Sequence, residues 1–130
     1  MSDFELIDSH CHLIFENFEK DLDEVVLRFR SAGVKKLVHA CCEFTEIPKL
    51  KKISHEFNEI YYSVGLHPLE ASKWEIGSKS ILRSSAQEDQ RVVAIGELGL
   101  DFFKSQNKTQ QIDALIPQME LAYELELPVI

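Results

Sequence analysis

Residues 91–101 read Arg-Val-Val-Ala-Ile-Gly-Glu-Leu-Gly-Leu-Asp (RVVAIGELGLD), and this stretch decides the class of fold. Arg91 to Gly96 is an apolar strand with no polar alternation, which marks burial on both faces. Glu97 follows it directly, and the glycines at 96 and 99 let the backbone turn sharply before Asp101. Strands covered on both faces belong to parallel sheets, whose right-handed crossovers lay a helix over the strands.

The same unit repeats upstream. Glu5 to Leu13 reads as a first strand, followed by a helical segment with Phe18, Leu22, Val25, Val26 and Phe29, closed by Gly33 at a C-cap position. Val34 to Cys42 is a second strand. Thr45 is placed to cap the helix that carries Ile47, Leu50, Ile53 and Phe57, with Pro48 tolerated in its first turn. Ile60 to Leu66 is a third strand, ended by His67 and Pro68. A short helix around Ile81, Leu82 and Ala86 is expected within Glu70 to Gln90. Downstream, Ile112, Leu115, Ile116, Met119, Ala122 and Tyr123 trace the expected core face of a long fourth helix, kinked at Pro117. Leu127 to Ile130 has the character of an opening fifth strand. Two α/β architectures fit this pattern: a doubly wound open sheet, or the first units of a (β/α)₈ barrel. No G-x-G-x-x-G or G-x-x-x-x-G-K-[ST] follows any strand, which removes the commonest nucleotide-binding reasons for an open sheet.

The chain has 130 residues, 45% hydrophobic and 28% charged, as expected of a single globular domain over 1–130. No apolar run approaches the roughly 20 residues of a membrane span and the N-terminus has no leader pattern, so a cytoplasmic protein without membrane contact is expected. Cys11, Cys41 and Cys42 lack C-x-x-C spacing and are read as reduced, packed thiols. With 14 basic against 22 acidic residues, the net charge of −8 opposes binding of a phosphate backbone through the overall field. Bound divalent cations would reverse that sign locally.

Candidate chemistry lies at the strand ends. His10 and His12 are two residues apart on a strand and share one face, so both imidazoles can converge on one ion. Asp8 is placed to orient them from behind. An isolated H-x-H is more often a solvated strand end. This one closes an apolar strand at the end where α/β proteins build their sites. Glu97 stands after a buried strand, where a carboxylate is costly unless it is paired or binds a cation. A solvated loop glutamate, with Asp101 capping the next helix, is the plainer alternative. His67 either touches substrate or makes a structural hydrogen bond, and His39 and His55 are read as structural or solvated.

The motifs DSHCHL (8–13), SVGLHP (63–68), VVAIGELGLDFF (92–103), and Gln111 followed by QMELAYELELPVI (118–130) together resemble the TatD family of metal-dependent deoxyribonucleases. The resemblance covers the whole chain. It implies a (β/α)₈ barrel with two divalent ions (Mg, Mn or Zn) at the C-terminal rim and DNA as substrate. His10 and His12 would be ligands of one metal, Glu97 a catalytic carboxylate that bridges or helps bind the pair, and His67 and Asp101 auxiliary residues. The family's remaining ligands, two histidines and an aspartate, lie on later strands that this sequence lacks. A half barrel truncated at strand 5 is therefore expected, binding metal weakly, with little or no nuclease activity, and oligomeric through its exposed half-barrel surface. Two rival readings stay open. One is another H-x-H hydrolase, an amidohydrolase or a histidinol-phosphatase-like enzyme, which lacks the GELGLD segment. The other is a non-catalytic half-barrel interaction module.

Overall fold

The computed structural model describes residues 5–130. Strand β1 (Leu6–Cys11) leads through α1 (Glu16–Glu19) and α2 (Leu22–Ser31) to β2 (Val34–His39). A 3-10 turn (Phe44–Glu46) and α3 (Ile47–Glu56) lead to β3 (Ile60–Val64). A 3-10 helix (Pro68–Lys73) and α4 (Ser78–Glu88) lead to β4 (Val92–Ile95), and α5 (Lys108–Leu125) follows.

The strands form one parallel sheet in the order β1-β2-β3-β4. A doubly wound sheet reverses its strand order at a switch point, whereas a barrel lays strands down consecutively. The unbroken order makes this sheet an arc of a barrel. The tail extends it: Val129 forms a parallel bridge with Ile95, whose N–H donates to Pro128 O at 2.9 Å while Ile130 N–H donates to Ile95 O at 3.0 Å.

Side-chain alternation gives the arc two faces. Leu37, Ile60, Tyr62, Val64 and Val92 pack outward against Val26, Leu50, Ile53, Leu82 and Leu121 from the helices. On the other side, backbone and side chains of Ser9, His10, Val38, Val93, Ala94 and residues 128–130 line a concave cavity of about 410 Å³. Near the start of β4, buried Asp89 accepts hydrogen bonds from Tyr62 O–H and Arg91 N–H, each at 2.9 Å, and faces His55 Nε2 at 3.1 Å. Burial raises the Asp89 pKa, but the Arg91 amide, the Tyr62 hydroxyl and His55 outweigh it and hold the carboxyl below its ordinary range.

Three local expectations are corrected. The first helical segment divides at Lys20–Asp21, where Asp21 stands at the N-cap position of α2 without a side-chain cap bond, its Oδ2 accepting from Arg28 Nη2 at 3.4 Å instead. Thr45 does not cap α3: it sits inside the 3-10 turn, and Glu46, with no side-chain cap bond, precedes the helix because its carboxylate accepts from Cys42 N–H at 2.6 Å instead. The core face of α5 is not the one its apolar residues trace. Ile112, Ile116, Met119 and Tyr123 are 40%, 51%, 52% and 87% exposed, while Gln111, Ala114, Gln118, Leu121 and Ala122 are buried. The glutamines explain this rotation. Gln118 accepts from Leu66 N–H at 2.7 Å and donates to Leu66 O at 3.3 Å, and Gln111 makes the equivalent pair with Asp101 at 2.7 and 3.1 Å. Backbone groups past the strand ends, which no ladder pairs, are satisfied this way.

Candidate metal centre

The strand ends are locked together by backbone. Glu97 N–H donates to Cys41 O at 2.6 Å, Gly96 N–H to Val64 O at 3.0 Å, and Ser63 Oγ–H to Gly96 O at 2.5 Å. A Cβ on Gly65 would stand 2.6 Å from the backbone of Gly96, and one on Gly96 2.4 Å from Ile130 O, so both positions require glycine. This close approach sets Glu97 at the rim.

Across the arc, β1 delivers His10 and His12 to the same point. Their Nε2 atoms are 3.3 Å apart, and Glu97 Oε2 lies 3.1 Å from the first and 3.4 Å from the second. Among the described residues, His10, His12 and Glu97 are the group whose donor atoms all fall within 4.8 Å of one another. The three separations match the edges, about 3.3 Å, of a tetrahedron with metal bonds of about 2.0–2.1 Å. Two imidazole nitrogens and a carboxylate oxygen also form a donor set suited to a divalent cation. The residues present therefore fit a metal ion.

The surroundings hold these side chains in place. Asp8 Oδ1 accepts from the backbone N–H of His10 at 3.0 Å, so it anchors the strand end and leaves the imidazole alone. Phe15 stacks on the His12 ring, with centroids 5.1 Å apart and planes 10° apart. His39, buried in β2, meets His12 edge-on. Burial, then the neighbouring His12, pushes its pKa down to about 4, so it is a neutral wall. His39 Nδ1 lies 3.0 Å from Ala40 O, and Nε2 has no partner among the described residues.

His67 Nδ1 accepts from Leu69 N–H at 3.1 Å, which places the proton of the neutral ring on Nε2, 3.6 Å from Glu97 Oε1. One nitrogen therefore holds the loop and the other faces the cluster. Asp101 stays outside the cluster: its Oδ1 accepts from Lys104 N–H at 2.8 Å and its backbone pairs with Gln111. Sequence reasoning gave no role to the side chains of Phe15 and Gln118 and read Cys42 as a packed thiol. Cys41 packs in the core as expected, but Cys42 Sγ faces the cluster, 3.9 Å from Glu97 Oε2 and 3.9 Å from His12 Nδ1.

The chain matches the family model described as TatD related DNase over residues 7–130. It is 35% identical to the putative deoxyribonuclease tatdn3 of Danio rerio, over 95% of this chain and 51% of that protein. It is also 35% identical to the 3'-5' ssDNA/RNA exonuclease TatD of Cronobacter sakazakii, over 95% of this chain and 47% of that one, and to the metal-dependent hydrolase YabD of Bacillus subtilis, over 96% and 49%. A solved structure, the TatD homologue YJJV from Escherichia coli K12, shares 31% identity and a TM-score of 0.88, covering 95% of this chain and 49% of that one. The chain spans about half the length of the curated relatives it matches. With the match running through β1 to β4 and on to Ile130, the chain belongs to the TatD related DNase family.

Proposed function

We propose that the rim cluster is the N-terminal part of a metal-dependent hydrolytic centre acting on phosphodiester bonds of nucleic acid. The observation that carries this reading is the convergence of His10, His12 and Glu97, at and just past the ends of β1 and β4, at tetrahedral spacing. A divalent ion held there would lower the pKa of a bound water and offset the charge of a scissile phosphate, which lets a chain of net charge −8 accept an anionic substrate. His10 and His12 offer Nε2. Phe15 stacks on one face of the His12 ring. Glu97 directs Oε2 at the imidazoles and Oε1 at His67, so its carboxylate is placed to serve two partners. His67, with its Nε2 proton fixed by the Leu69 bond, is a donor for a phosphate oxygen at the rim. Asp8 and Asp101 act through the backbone, one holding β1 and the other shaping the loop after Glu97.

DNA is the proposed substrate, by analogy with the relatives named as deoxyribonuclease and exonuclease. Among the described residues no helix is long and apolar enough to cross a membrane, and a cytoplasmic location is proposed. The wide inner face and the exposed stripe of α5 support self-association.

The test is metal content by elemental analysis of the purified chain and of His10→Ala, His12→Ala and Glu97→Gln, alongside cleavage of a single-stranded oligonucleotide. Wild type should retain a divalent ion that each variant loses, and any cleavage should follow the metal. Equal metal content in all four proteins would sink the reading, and cleavage that survives in all of them would point to a contaminant.

A further inference from the structure

The loop that leaves Glu97 carries apolar side chains into solvent. Phe103 is 95% exposed, and Leu100 and Phe102 are exposed within the same four positions. The loop is nevertheless pinned. Asp101 pairs both backbone groups with the Gln111 side chain at 2.7 and 3.1 Å, its Oδ1 accepts from Lys104 N–H at 2.8 Å, and its carbonyl accepts from Ser105 N–H at 3.2 Å. These bonds close a turn through residues 102–104 and hold the two phenylalanines away from the core. Single apolar residues in water are ordinary, whereas several gathered on an anchored turn mark a contact surface. Positive charge accompanies the rings. Lys104 follows Phe103 directly, Lys108 Nζ lies 5.1 Å from the centre of the Phe102 ring, and among the described residues neither ammonium is paired with a carboxylate. The first turn of α5, which begins at Lys108, holds no acidic residue, so the positive end of the helix dipole adds to the local field.

Resting on the nucleic-acid reading above, we propose that the loop from Leu100 to Lys108 is a subsite for single-stranded nucleic acid, in which Phe103 stacks on an unpaired base while Lys104 and Lys108 meet the flanking phosphates. Aromatic rings interleaved with free cations are the chemistry of single-strand binding, since every base has a face to stack and every nucleotide a charge to neutralise. A duplex offers the phosphates but keeps its bases stacked on one another. The subsite also lies within reach of the ion cluster. Phe103 is six residues beyond Glu97, so chain length alone holds the two within about 22 Å, a span that about seven nucleotides of a stacked strand cover at about 3.4 Å each.

The test is a fluorescence-anisotropy titration of a labelled oligo-deoxythymidine strand of about 12 nucleotides with the full chain in EDTA, so that binding is read apart from any metal. Phe103→Ala should weaken binding about tenfold or more with an unchanged circular dichroism spectrum, while Phe103→Trp should keep the wild-type affinity. The double variant Lys104→Ala, Lys108→Ala should flatten the fall of log affinity with log salt by about 1.4, the share of two phosphate contacts on a single strand. An abasic strand of the same length keeps every phosphate and should bind wild type as weakly as the thymidine strand binds Phe103→Ala. Equal affinity of wild type for the thymidine and abasic strands, or of wild type and Phe103→Ala for the thymidine strand, would overturn the subsite. Sedimentation that shifts in Phe103→Ala while oligonucleotide binding does not would assign the rings to a second copy and overturn it too. The metal content of wild type and its ligand variants decides the ion cluster separately, because nothing in this titration needs the ion.

Discussion

Near the start of β4, Asp89 gathers the hydroxyl of Tyr62, the amide of Arg91 and Nε2 of His55 on one buried carboxylate. Because these donors hold its folded-state pKa below the ordinary value, the unfolded chain binds a proton there more readily than the folded one. Stability from this group is therefore full above the usual carboxylate range and is lost as pH falls through the lower folded value. Denaturant titrations across that acid window should show wild type weakening, with a flatter profile in Asp89→Asn. At neutral pH, Asp89→Ala should cost about 1–3 kcal/mol for each buried donor left unpaired. Residues of this kind differ in how far sequence exposes them. His10, His12 and Glu97 were legible because strand periodicity and position after an apolar run fix their direction. Cys42 was not, because it lies past the end of β2, where no period dictates which way a side chain points.

The long helix α5 shows what decides orientation at the level of an element. Its apolar residues predict one buried face, yet the helix turns Gln111 and Gln118 inward and leaves Ile116, Met119 and Tyr123 in solvent. Unpaired amides and carbonyls past the strands require partners, and two glutamines seven residues apart supply them more effectively than another layer of aliphatic contacts. Hydrophobic periodicity cannot see that demand, since it counts side chains and not orphaned peptide groups. Replacing Gln118 with leucine should therefore destabilise the chain, by about 1–3 kcal/mol in a chemical-denaturation experiment, despite the gain in apolar character. An unchanged or higher stability would show that side-chain packing sets the helix orientation.

For the molecule as a whole, β-α alternation was readable from residue types, whereas the choice between an open sheet and a barrel arc was not, because strand order is set by which edges pair. Among the described residues two apolar surfaces are exposed, the inner face around Val38, Val93 and Val129 and the outer stripe of α5. Surfaces of this character favour association. Analytical ultracentrifugation should detect self-association that Val93→Asp abolishes without unfolding the chain; a monomer at all concentrations would remove self-association from the account.

The glycine-to-glycine contact at the rim has a further consequence for anyone who would redesign the site. Because Gly65 and Gly96 fix where Glu97 emerges, reshaping the chemistry need not disturb the scaffold. A combinatorial library that keeps both glycines and randomises position 15 would vary the wall beside the His12 ring without touching the backbone contact, whereas a side chain at either glycine would meet backbone directly.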